Sequence, residues 1–296
     1  MARIALLSAG SVSHEAVLHL LGEGHEFVHK KLISDVFLAT VNGDADYSVI
    51  PIENTIEGSV NLHMDWLVHE VDLPFQAEWV YPSIQNLIGR SEEVAQDWSH
   101  VTKVMSHPVA MAQCTHFLRT HLPHAEQEHV GNTSEAIRLV KDNPGKGWVA
   151  IGTQLGASMH RLDLLASNIT DHNNNFTRFI LVGKEPVKIP AEGAQMKTTI
   201  LVTLPEDFPG ALHQVLSAFS WRRINLTRIE SRPTKLKLGN YYFYIDVEMS
   251  LDRVLLSAAI EEIEALGCQV RVLGSYPSYS FETWNQDQPL NLEVQG

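Results

Sequence analysis

From residue 3 to residue 183, short apolar runs alternate with segments whose apolar side chains recur every three or four positions. That alternation restricts this part of the chain to an α/β arrangement with largely parallel strands. Residues 3–8, 47–52, 103–106, 147–151 and 178–183 read as strands; 13–21, 34–41, 109–122 and 134–141 read as helices. Ligands of such folds sit at strand ends, so the polar residues flanking these runs are where a site is expected.

The pattern changes after residue 185. Residues 185–194 hold Pro186, Pro190 and Gly193 with no helical period and read as a linker. Beyond it the predicted order is strand 197–204, helix 210–222, strand 226–231, strand 240–249, helix 251–266 and strand 268–275. This is the βαββαβ order of a split-βαβ, ferredoxin-like unit. Leu212, Val215, Leu216 and Phe219 form one apolar stripe in its first helix, and Leu256, Ile260 and Ile263 another in its second. The expected organisation is a first domain over 1–185, a linker over 186–196, a second domain over 197–280 and a poorly ordered tail over 281–296.

Charge and cysteine usage narrow the function classes. A net charge of −13 with no run of Lys or Arg argues against nucleic acid as a partner. The first apolar run is too short for a signal peptide or a membrane span, so no membrane partner is expected. Cys114 and Cys268 are the only cysteines and lie far apart, which fits a reduced, cytoplasmic location and not a disulfide framework. His25-Glu26-Phe27-Val28-His29 matches a zinc-protease pattern, but that chemistry needs both histidines on one helix face. Flanking Gly22, Gly24, Lys30 and Lys31 and the lack of an indicated third ligand argue for no metal.

Three polar segments remain. Asn173 to Gly183 places Thr177 beside Arg178 at the entry to a strand. A rotatable hydroxyl and a guanidinium fork together suit a small anion carrying a hydroxyl. Strand alternation puts Thr177 and Phe179 on one face and Arg178 on the other, so both polar groups reach one ligand only at a strand end. Arg178 paired with a surface carboxylate is an equal reading of the same residues. Glu53-Asn54-Thr55-Ile56-Glu57-Gly58 follows a buried strand and leads to a helix, where it can present donors to an anion or simply cap the turn. Ser106-His107-Pro108 ends another strand at a helix start, with Gln113 a turn further on and Cys114 read as a small buried hydrophobe.

Taken in order, these segments resemble the prephenate dehydratase family, in its monofunctional form with a C-terminal ACT regulatory domain. Glu53-Asn54-Thr55 with Gly58 resembles the family's E-N-S-x-x-G turn, Ser106-His107-Pro108 with Gln113-Cys114 its S-H-P-Q segment, and Thr177-Arg178-Phe179 its T-R-F signature. Gly210-Ala211-Leu212 and Glu230-Ser231-Arg232-Pro233 resemble its two phenylalanine-binding motifs. Ser8 to Ser13 lacks the Gly-Pro and the aromatic usual there; Val109 replaces a glutamine, Thr55 a serine and Gly152 an alanine.

The resemblance implies a two-lobed, periplasmic-binding-protein-like catalytic domain followed by a ferredoxin-like ACT domain. It implies conversion of prephenate to phenylpyruvate, with loss of carbon dioxide and water and without a cofactor. Thr177, Asn54 and Gln113 are then catalytic, with Thr177 donating to the departing hydroxyl. Arg178, Thr55, Ser106, His107, Ser11 and Phe179 contact substrate, Arg178 holding the pyruvyl carboxylate or acting structurally. Phenylalanine is the implied effector, and a homodimer or homotetramer the implied assembly, with the aromatic run 241–245 as a candidate contact. Arogenate, the amino analogue, is an alternative substrate. A non-catalytic amino-acid sensor would keep the cleft and lose the donor.

Overall fold

The computed structural model describes residues 1–94, 98–188, 194–206, 208–235, 241–281 and 293–294. Its contacts divide the chain into two units, and the division does not follow a single cut. The first holds Met1–Val71 with Val80–Phe179; the second holds Asp72–Trp79 with the described residues from Ile180 onward.

The first unit begins with β1 (Arg3–Leu6), α1 (Val12–Leu21), β2 (Glu26–His29), α2 (Ile33–Val41), β3 (Tyr47–Asn54), β4 (Gly58–Ser59) and α3 (Asn61–Asp65), which runs into a π-helical turn, Trp66–Glu70. β1 pairs in parallel with β2 and β3, as expected where helical crossovers join buried apolar strands. Ile4, Ala5 and Leu6 of β1 and Val49, Ile50 and Ile52 of β3 are wholly buried. The strand β5 (Phe75–Pro82) leads to a second lobe of the same unit: β6 (Asn86–Gly89), β7 (Lys103–Ser106), α4 (Pro108–Ala112), α5 (Thr115–His121), β8 (Glu126–His129), α6 (Thr133–Asp142), β9 (Trp148–Gly152), α7 (Gln154–His160) and β10 (Asp163–Ala166). Its sheet has the order β10-β6-β9-β7-β8, parallel across β9-β7-β8 and antiparallel across β10-β6-β9.

The predicted strands and helices of this unit are present, with one correction, at the helix 109–122; β2 is a strand that was not predicted. Residues 26–29 form a strand, so His25 and His29 are not on a helix face; His29 packs edge-on against His14 at 4.7 Å. Among the described residues no group of three His, Cys, Asp or Glu could hold a metal. The predicted helix 109–122 is broken in two at Gln113 and Cys114. Cys114 is buried, and burial pushes its thiol up to about 12, as fits a packing role.

The strand β11 (Phe176–Gly183) leaves the first unit after Phe179. The second unit then adds β12 (Val187–Lys188), β13 (Gln195–Thr203), α8 (Ala211–Ser220), β14 (Leu226–Pro233), β15 (Tyr241–Val247), α9 (Val254–Ala265), β16 (Gln269–Tyr279) and β17 (Glu293–Val294). The order β14-β15-β13-β16 is the expected ferredoxin-like sheet, and β16 pairs in parallel with the 75–79 part of β5. Both predicted helical stripes pack on it: Val215, Phe219, Leu256 and Ile263 are buried with Ile200, Val202 and Ile245.

Residues 189–193 of the expected linker, Asp207, Asn240, and 282–292 with 295–296 of the expected tail lie outside the described residues; Glu293–Val294 pair with Val187–Lys188. The aromatic run offered as an oligomer contact is already covered within one chain from Tyr242 to Ile245, only Tyr241 being exposed.

Within the second unit the wholly buried carboxylate of Glu78 accepts from Lys197 Nζ (2.7 Å) and Ser278 Oγ (2.8 Å). The Tyr276 hydroxyl lies 2.6 Å from Thr199 Oγ1, which donates to buried Asp246 (2.7 Å).

Candidate active site

A cavity of about 640 Å³ opens in the first unit, within the size range of small-molecule sites. Residues after β1, β2 and β3 line it from one side, and residues between β5 and β6 and after β7 and β8 from the other. The loop after β1 closes tightly on the second lobe: Gly10 has φ +71, and a Cβ there would lie 2.9 Å from Gly156 Cα, so only glycine fits.

The wall is organised by Asn175, which is 5% exposed. Its Nδ2 donates to Gln113 Oε1 (2.9 Å) and Ser83 O (3.2 Å), and its Oδ1 accepts from Asn54 Nδ2 (2.8 Å). The Asn54 amide also donates to Thr177 Oγ1 (3.0 Å), while its Oδ1 accepts from the N–H groups of Ile56 and Glu57, closing the turn after β3. Thr177 Oγ1 lies 2.6 Å from Ser83 Oγ. Gln113, Asn54, Thr177 and Ser83 all line the cavity. Since Thr177 Oγ1 already accepts from Asn54, a proton from Ser83 leaves the Thr177 O–H free to donate into the cavity, strengthened by both neighbours.

The structure sorts the predicted residues. Thr177, Asn54, Gln113, His107, Ser11 and Phe179 line the cavity; Arg178, Thr55 and Ser106 do not. Alternation along β11 turns Arg178 to the other face, where its Nε lies 3.1 Å from Glu53 Oε2. Thr55 latches the two loops, its hydroxyl donating to Asn174 O (2.5 Å) and accepting from Phe176 N (2.9 Å). Ser106, fully buried, donates to Ile151 O (2.9 Å) and ties β7 to β9. Ser11 caps α1 and His107 caps α4. Burial, and then His129, hold the His107 imidazole below its ordinary pKa.

Of the departures noted above, Val12 and Val109 line the cavity. Gly152 lies outside it, and Ile137 Cδ1 would stand 2.8 Å from a Cβ there, occupying the space of the missing methyl.

The sequence reading missed Ser83, Asn175 and Lys31. Asn175 sits in the Asn173–Asn175 run beside Thr177, a signal that singles out none of the three. Ser83 and Lys31 carry no local pattern.

In the second unit, Gly210 (φ +96) begins α8 without a side-chain cap, and the Ala211 N–H that follows it donates to Phe208 O at 3.0 Å. Glu230 accepts from Arg228 (2.6 Å), and Ser231, Arg232 and Pro233 end β14.

Fold and cavity define an α/β protein with a donor-lined, small-molecule cleft, carrying a separate βαββαβ module. The prephenate dehydratase family model matches residues 5–187, and the ACT domain model residues 198–266. Prephenate dehydratase of Bacillus subtilis is 42% identical over 277 residues, covering 92% of this chain and 96% of that protein. The Methanocaldococcus jannaschii enzyme is 36% identical, covering 93% and 98%. The chain therefore belongs to the prephenate dehydratase family, with an ACT domain following the catalytic one.

Two solved structures match with TM-scores of 0.82. One is the Arthrobacter aurescens prephenate dehydratase in complex with L-Phe, 29% identical over 99% of this chain and 93% of that one. The other is GqqA, described as a novel type of quorum quenching acylase, 26% identical over 95% and 99%. The fold alone does not choose between their chemistries.

Proposed function

We propose that the protein converts prephenate to phenylpyruvate in the cavity of the first unit, with no cofactor. The observation that carries this reading is the Thr177 hydroxyl, held between Asn54 and Ser83 on the cavity wall. The leaving oxygen must depart as water, and a positioned donor lowers that barrier. Asn54, Gln113 and His107 supply further polar groups, and Phe179 an apolar surface. Aromatisation makes the reaction downhill, so the protein need only place the donor and keep the departing carboxylate out of a strong ion pair. Acyl transfer calls for a nucleophile beside a base. The partners of Thr177 Oγ1 described above are an amide and a hydroxyl, which favours the lyase.

Incubating the pure protein with prephenate and, separately, arogenate tests the reading. Phenylpyruvate from prephenate is expected; phenylalanine from arogenate alone would make it an arogenate dehydratase, and neither product would sink the assignment.

Phenylalanine is the proposed feedback inhibitor, bound by the α8 turn at Gly210, Ala211 and Leu212 and by Glu230–Pro233 at the end of β14. The ACT domain and the L-Phe complex of the Arthrobacter aurescens relative support this. Gly210→Ala places a side chain at φ +96. It should raise the half-inhibitory phenylalanine concentration at least about tenfold, a loss of about 1.4 kcal/mol at the effector site, with kcat/KM for prephenate kept. Unchanged inhibition that is competitive with prephenate would place the effector in the cleft.

A homodimer or tetramer in the cytoplasm completes the proposal. The buried free cysteines fit a reducing compartment. No helix of the described residues is long and apolar enough to cross a membrane.

A further inference from the structure

With Arg178 turned out of the cavity, the substrate carboxylate it was expected to hold needs another partner. Lys31 is the one lysine or arginine among the described residues that line the cavity. It lies two residues beyond the end of β2, at the carboxyl end of the parallel strands β1, β2 and β3. Thr177 stands at the same end of the sheet, because Asn54 at the end of β3 meets Phe176 and Thr177 at the start of β11.

The strand order β11-β3-β1-β2 separates the two positions by three strand spacings, about 14 Å at 4.7–4.9 Å each. An extended lysine side chain spans roughly 6 Å of that interval at ordinary bond lengths. About 8 Å remain. In prephenate the hydroxyl and the pyruvyl chain stand on opposite carbons of the ring, and bond lengths near 1.5 Å put the hydroxyl oxygen roughly 8 Å from the pyruvyl carboxylate. The cavity's own carboxylate, Glu57, follows β3 on the Asn54 side, where its N–H donates to Asn54 Oδ1. The Lys31 end is thus the cationic end of the cleft.

Resting on the activity proposed above, we propose that Lys31 is the counterion of the substrate's pyruvyl carboxylate and sets the distance at which a dianion is recognised. That carboxylate survives into the product, so pairing it with a cation binds ground and transition states alike and leaves the departing ring carboxylate unpaired.

Lys31→Met should raise the KM for prephenate about tenfold or more with kcat within about twofold, the signature of uniform binding. A charge-assisted contact of about 1.5–3 kcal/mol corresponds to roughly ten- to a hundredfold. Product inhibition by phenylpyruvate, which keeps the same carboxylate, should weaken by the same factor. Lys31→Arg should restore most of both, and Lys30→Ala, one residue away and outside the cavity, should change neither. An unchanged KM in Lys31→Met overturns the assignment, as does a phenylpyruvate inhibition constant that does not follow, or a loss that Lys30→Ala reproduces or Lys31→Arg fails to repair. A wild-type protein inert to prephenate would remove the activity and this assignment together; normal wild-type turnover with an indifferent Lys31→Met removes this assignment alone.

Discussion

Thr177→Ala should lower kcat for prephenate by about 10²–10⁴-fold, the usual contribution of a positioned proton donor, while the KM changes by only a few fold. The split follows from geometry. Thr177 Oγ1 accepts from Asn54 Nδ2 at 3.0 Å and lies 2.6 Å from Ser83 Oγ; with Ser83 as the donor of that second contact, the Thr177 proton is left to the cavity before substrate arrives. That proton matters most as the carbon–oxygen bond breaks, and an interaction strongest in the transition state appears in kcat. Thr177→Ser keeps the oxygen and should retain much of the rate. Ser83→Ala leaves the Asn54 contact and should cost less than Thr177→Ala. Steady-state kinetics on the three variants checks the ordering, and near-normal turnover by Thr177→Ala would remove this hydroxyl from the mechanism.

The largest stability effect is expected at Lys197. Its Nζ lies 2.7 Å from Glu78 Oε1, and the Glu78 side chain has no exposure at all. Lys197→Met keeps most of the side-chain volume and removes the cation, leaving a charge in a dry interior. Breaking a buried pair in this way costs about 3–5 kcal/mol, which lowers Tm by on the order of 10 °C for a unit of this size. Pairing the change with Glu78→Gln should recover most of the loss, because a neutral amide no longer requires the lysine and can still accept from Ser278. Thermal unfolding of the two single variants and the double variant forms the cycle. Additive losses would mean that Glu78 and Lys197 do not act as a pair.

What the sequence disclosed and what it hid have different physical origins. Apolar periodicity located β3, β7, β9, α1 and α6 because their buried faces are continuous. It overlooked β2 and β5, whose Glu26, Gln76 and Glu78 break the apolar run; Glu78 is buried only because Lys197, 119 residues away in sequence, meets it. The break between α4 and α5 is likewise non-local. The Asp171 N–H donates to Gln113 O at 2.7 Å, and its carboxylate accepts from His116 N at 3.0 Å, so one distant residue ends one helix and caps the next. Within the site, Asn54, Gln113 and Thr177 were legible because each stands at the end of a recognisable element. The outward turn of Arg178 was legible too, in the alternation of β11. Ser83 and Lys31 were not, since each reaches the cavity through strand order alone.

The division of contacts has a practical consequence for anyone preparing fragments. β5 and β11 each change unit partway along, a few residues from Ser83 and Thr177 respectively. A fragment ending at residue 185 keeps Glu78 but loses Lys197, Tyr276 and Ser278, and with them the strand that pairs with residues 78 and 79. Its bared strand edge invites pairing between copies. A fragment starting at residue 186 lacks the segment, residues 78 and 79, with which its strand β16 pairs. Co-expressing the two halves should therefore yield a soluble, associated pair where each half alone precipitates: the protein behaves as a split protein whose pieces complement each other, and not as two beads on a string.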